Sequence, residues 1–217
     1  MGLDMRPMGK PKHAFEKRSV DIFAMVSKDK IPQTSIFDKL KGKKLPTKDE
    51  LLQELFVGQD NTYETIKAPR VGQDKEADDW IRNKYDDLEL MPSLDEFLKE
   101  HNNYYVIQLA KELDGVPVYI AMGQDENVFR GQFLSECVDL IGKDLVNEAW
   151  GSKLADDTLD CGNRLMSVAD KLAKEKNLEH LKSQRLPPDT DEDSIESKLH
   201  IVFSLAKGLV FYGKNGH

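Results

Sequence analysis

Cysteine is almost missing from this chain, with Cys137 and Cys161 the only two among 217 residues. Two thiols cannot build a disulfide framework, and no CxxC spacing offers a zinc or redox site. Long apolar runs are missing too: nowhere do about 18 apolar residues follow one another, as a membrane helix needs. The opening is charged and contains proline, without the apolar core of a signal peptide. These absences predict a folded protein of the cytoplasm with reduced thiols and no membrane association. The catalytic patterns GxSxG, HExxH, GxGxxG and GKS/GKT are absent as well. No two of the histidines, His13, His101, His180, His200 and His217, have the HxH or HxxxH spacing that sets two imidazoles on one metal. The expectation is therefore no cofactor, no metal and no catalytic residue set.

What is present looks like an ordinary globular chain, 39% hydrophobic and 32% charged, long enough for one main domain. The net charge of −8 is unevenly spread. Residues 1–50 hold 12 basic against 7 acidic residues, and the remainder holds 19 against 32. A basic N-terminal arm and linker over residues 1–46 is thus expected ahead of a main helical domain over residues 47–217. The run Lys39, Lys41, Lys43, Lys44 and Lys48 could contact nucleic acid. Against that, the acidic body repels a phosphate backbone, and no aromatic residue is interleaved for base stacking. Attraction between arm and body accounts for the same charges, so another protein is the favoured partner and nucleic acid is not.

Punctuation along the chain places the elements. Phe15, Val20, Ile22, Phe23 and Val26 fit a short helix and, less well, a strand over Val20 to Val26. Proline, glycine and lysine from Ile31 to Pro46 predict a loop. Thr47 followed by Glu50 forms a capping box that opens a helix through Leu51, Leu52, Leu55 and Phe56. Tyr63 to Ile66 could form an edge strand, and helix resumes from Asp74 to Tyr85. Ser93 with Glu96 makes a second capping box. Beyond it, the pattern leaves a continued helix to Leu113 and a strand at Tyr104 to Leu109 equally open. Val116 to Met122, between Gly115 and Gly123, is the best strand candidate and must pair with a neighbour to satisfy its backbone. Helices are predicted over Asp125 to Ile141, Leu154 to Glu175 and Ser194 to Tyr212, with a short helical piece over Leu145 to Trp150. The helix over Ser194 to Tyr212 is apolar on nearly all sides, which predicts an enclosed central helix whose loss by truncation at Lys198 would prevent folding.

Several constellations weaken once spacing is checked. Asp189, Asp191 and Asp193 alternate like the first calcium-loop ligands, but Ser194 and His200 stand where that loop needs Gly and Glu. The acids are better read as capping and complementing the positive N-terminal end of the last helix. Gly123 and Gln124 join a strand to a helix start, where a phosphate could bind, yet Asp125 and Glu126 already occupy it. Cys137 and Cys161 project toward apolar faces and read as core thiols. Gly131, Gly162 and Gly208 stand inside predicted helices, where each costs about 1 kcal/mol relative to Ala. Close helix contact explains them best. The functional alternative is a ligand cleft lined by Arg130, Asn163 and Arg164, with His200 nearby, able to hold a carboxylate or phosphate. For His200 itself, a core imidazole bonded to a carbonyl or carboxylate outweighs a general base.

The resulting expectation is an α+β fold, predominantly helical, with a small sheet that includes Val116 to Met122. The favoured function is a non-catalytic protein-binding or regulatory module; an enzyme with a cleft at Arg130, Asn163, Arg164 and His200 is the alternative.

Overall fold

The computed structural model describes residues 4–5, 7–28, 30–31, 45–60, 65–66, 69–87, 92–101, 129–184 and 187–217. The fold is predominantly helical, with small antiparallel strand pairs. The strand expected over Val116 to Met122, the Tyr104 to Leu109 alternative and the Gly123 to Glu126 junction lie outside the described residues, as does most of the expected 31–46 loop.

The chain divides into two compact units, Met8–Asn61 on the one hand and Met1–Pro7 with Thr62–His217 on the other. In the smaller unit, strand β2 (Lys10–Pro11) pairs antiparallel with β3 (Gln59–Asp60), Lys10 opposite Asp60. A 3-10 turn over His13–Phe15 leads into helix α1 (Glu16–Ser27). The helix reading of this segment is the one realised, since Ile22 faces inward and is fully buried together with Leu51 of α2 (Lys48–Val57). The Thr47 side chain accepts from the Glu50 amide at 3.2 Å while the Thr47 amide donates to Glu50 Oε2 at 2.8 Å, which closes the capping box the sequence predicts. Arg18 on α1 clamps Glu54 on α2 through two bonds of 2.7 Å. Gly58 ends α2 against the Phe15 ring, where a Cβ would lie 2.2 Å from ring carbon.

In the larger unit, β1 (Asp4–Met5) pairs antiparallel with β4 (Phe129–Arg130), and Met5 packs on the main core. Helices α3 (Lys75–Asp86) and α4 (Leu94–His101) bury Val71, Ala77, Ile81 and Phe97. Ser93 and Glu96 make the second predicted capping box. Thr65 and Ile66, from the expected edge strand, are not in a strand.

The continuous helix expected over Asp125 to Ile141 is corrected. Phe129 and Arg130 are strand, followed by α5 (Gly131–Ser135), a turn, and α6 (Val138–Ile141). The backbone groups of 129 and 130 go to β1, a tertiary partner the helical spacing does not reveal. Gly131 therefore opens a helix and is not in its interior. Gly142, at φ 82°, takes a left-handed turn that glycine alone adopts readily, and α7 (Lys143–Ala149) follows.

The core is a helix pair. α8 (Ala155–Lys176) ends at Asn177 in the left-handed conformation, and a 3-10 turn over Glu179–Lys182 returns the chain toward α9 (Ile195–Asn215). Leu199, Val202, Phe203, Leu205 and Ala206 of α9 are buried with Cys161, Leu165, Ala169 and Ala173 of α8, so α9 is the enclosed helix its composition predicts. The backbones approach closely where side chains are missing: a Cβ on Gly162 would sit 2.8 Å from the Val210 nitrogen, and one on Gly213 would sit 2.6 Å from the Leu159 nitrogen. Gly208 is buried on the same helix.

Candidate functional site

Helix α2 has more apolar residues than it can bury. Leu51 and Leu55, one turn apart, lie on the covered side of the helix, Leu51 fully buried and Leu55 partly so. Leu52 and Phe56 form a second pair at the same spacing, about 100° further around the helix. Leu52 is 42% exposed, Phe56 75% and the adjacent Val57 60%. An exposed leucine needs no explanation by itself, but three apolar side chains together on one ten-residue helix do. Charge borders this face. Lys48 and Asp49 are exposed in the first turn, and at the other end Lys12 donates from Nζ to the Val57 carbonyl at 2.9 Å. The Arg18–Glu54 clamp holds α2 on α1 from the opposite side, and it keeps the Glu54 carboxyl below its ordinary range through those hydrogen bonds. The sequence reading names these four residues only as the helix that the Thr47 capping box opens and does not divide them between covered and exposed positions. The spacing gave no warning, because positions 51, 52, 55 and 56 fall within one arc of about 140°, the ordinary width of a core-facing apolar stripe.

The residues singled out from the sequence lie in the larger unit. Arg130 is in β4, its backbone opposite Asp4. Asn163 is exposed on α8. Arg164, also exposed on α8, donates from Nη1 to Glu148 Oε2 at 2.7 Å and from Nη2 to Glu148 Oε1. Its Nε donates to Asp160 Oδ2 at 2.8 Å. The bonds to Glu148 hold that carboxyl below its ordinary range. Both Arg164 and Glu148 are thus engaged with each other, the glutamate from α7 and the arginine from α8. His200 is buried on α9, its Nε2 3.1 Å from the Gln184 carbonyl, and burial depresses its pKa. A carbonyl can only accept, so Nε2 carries the proton in this contact.

The remaining candidates have structural settings. Cys137 is fully buried, its Sγ 3.3 Å from the Phe133 carbonyl, and burial pushes its pKa up to about 12. Cys161 is also fully buried, with its pKa raised by burial first and then by Glu148. Both are free. The acids Asp189, Asp191 and Asp193 are exposed, and the side-chain cap of α9 comes from Ser194, which accepts from the Ser197 amide at 3.1 Å. Among the described residues no cluster of His, Cys, Asp and Glu could hold a metal ion, and no helix is long and apolar enough to cross a membrane. Of the basic run, only Lys48 is described.

Comparison of the chain with known protein families, with curated proteins and with solved structures finds no match in any of the three.

Proposed function

We propose that this chain is a non-catalytic protein-binding or regulatory protein and that the exposed apolar face of α2 is its contact surface. The observation that carries the reading is Phe56, a large apolar side chain 75% exposed, set beside Leu52 and Val57 and bordered by charge. Burying a phenylalanine of this kind in a partner's pocket contributes roughly 1.5–3 kcal/mol, and aromatic anchors with a charged rim are common at protein interfaces. The alternative, an enzyme cleft at Arg130, Asn163, Arg164 and His200, has less support. Arg164 is already held by two carboxylates, and the His200 Nε2 is committed to a backbone carbonyl.

The test is a pull-down from the native host at low salt with the full chain and with Phe56→Glu. Circular dichroism first establishes that the variant is folded, which its exposure favours. The expected result is a protein retained by the wild-type chain and lost with Phe56→Glu. Equal retention by both, or retention of nothing by either, overturns the reading.

A further inference from the structure

We propose that the segment Leu178–Gln184 is a strap across α9 that protonation of His200 releases, so that acid uncovers one side of the central helix while α8 and α9 stay packed.

Two side chains of α9 hold this strap by its backbone. His200 Nε2 donates to the Gln184 carbonyl at 3.1 Å, and Lys207 Nζ donates to the Lys182 carbonyl at 3.1 Å. The strap therefore runs antiparallel to α9. Ser204 stands between these two residues on the helix, and the three positions fall within an arc of about 60°. Ser204 is fully buried, and its hydroxyl has no hydrogen-bond partner among the described residues. A buried hydroxyl without a partner favours the state in which water reaches it. From the strap itself Leu181 is fully buried and Leu178 partly so, whereas Glu179, His180, Lys182 and Ser183 are exposed. α9 buries ten of its residues. A segment that buries so little apolar surface opens at a lower free energy than the helix beneath it.

The proton couples to this opening because the closed strap disfavours a charged imidazole. Burial depresses the His200 pKa, and the Lys207 charge acts in the same direction. Lifting the strap returns the ring to water, where it titrates near the ordinary value of about 6.5. Opening thus takes up a proton below that pH, and its equilibrium constant rises by up to about tenfold per pH unit. On α9, Glu196 lies one turn before His200 and Lys207 two turns after it. The strap brings Glu179, His180 and Lys182, and the Lys182 ammonium binds the Asp170 carboxylate of α8 at 2.7 Å. The thiols of Cys137 and Cys161 are kept protonated by burial. Asp139 of α6 is paired with Lys198 of α9 at 3.2 Å, and α5 has no titratable residue.

The experiment is amide hydrogen exchange of the full chain, read residue by residue by NMR at pH 7.5, 6.5 and 5.5 and corrected for the intrinsic rate at each pH. The reporters are the Leu181, Ser183 and Gln184 amides, which donate to the Leu178, His180 and Leu181 carbonyls. They are expected to be at least about tenfold less protected than the Val202 and Phe203 amides of α9. Between pH 6.5 and 5.5 their protection is expected to fall about three- to fivefold. His200→Gln, which keeps a donor for the Gln184 carbonyl, should abolish that fall. His180→Gln and Asp170→Asn, which change other titratable groups at the strap, should keep it. Strap amides as protected as those of α9, protection that does not fall in acid, a fall that survives in His200→Gln, or one that vanishes in His180→Gln or Asp170→Asn would each overturn the proposal. The first two outcomes are read on the wild type, so the test stands even where a substituted chain does not fold.

Discussion

Gly162 on α8 faces Val210 on α9 so closely that a single added carbon would lie 2.8 Å from the Val210 backbone nitrogen. The obstruction is main chain, which cannot rotate aside as a side-chain tip can. In an exposed helix interior, replacing Gly with Ala gains about 1 kcal/mol from backbone entropy. Here the helices would have to separate along their shared, buried length, and overpacking of this kind costs about 1–3 kcal/mol. Gly162→Ala is expected to be net destabilising, and Gly213→Ala, which meets the Leu159 backbone at 2.6 Å, likewise. Urea unfolding midpoints measure both, and a stabilised Gly162→Ala would contradict the close packing.

The buried His200 makes stability depend on pH. Its pKa is depressed in the folded chain, first by burial, so below about pH 6.5 the unfolded chain binds the proton more readily than the folded one. Stability from this residue is therefore complete above that value and is lost as the pH falls toward the folded pKa, with a slope of at most about 1.4 kcal/mol per pH unit. His200→Gln keeps a donor for the Gln184 carbonyl and removes the titration. Unfolding free energies at pH 7.5, 6.5 and 5.5 should fall less steeply for the variant than for the wild type; identical slopes would remove His200 as the cause.

The thiols should be inert while the chain is folded. With its pKa near 12 in place of 9, Cys137 holds about a thousandfold less thiolate at neutral pH, and burial blocks access besides. Mass spectrometry after iodoacetamide at pH 8 is expected to show neither Cys137 nor Cys161 labelled in native buffer and both labelled in concentrated urea. Rapid native labelling of Cys137 would mean that its contacts with the Phe133 and Lys198 carbonyls are not maintained.

Local signals in this chain were legible where the interactions that create them are local. The capping boxes at Thr47 and Ser93 join residues three apart and can be read directly, as can the end of α8 at Asn177 and the apolar surround of α9. The helical glycines were legible in kind, since Gly162 costs helix stability and so implied a close neighbour, though not which residue it would meet. His200 is bonded to a carbonyl, as its place among Leu199 and Ile201 suggested, but nothing in the sequence pointed to Gln184.

What only the tertiary structure decided are pairings between distant residues. Phe129 and Arg130 carry helical spacing, yet their backbone bonds go to Asp4 and Met5, more than a hundred positions away, and the expected helix gives way there. The Thr65 hydroxyl meets the His217 imidazole at 2.6 Å across a similar span. On α2, the spacing alone determined that four apolar residues would share one broad face of a short amphipathic helix. Which pair is covered depended on where α1 packs, because one helix can shield only one side of another. Leu51 was covered, and Leu52 and Phe56 were left to water.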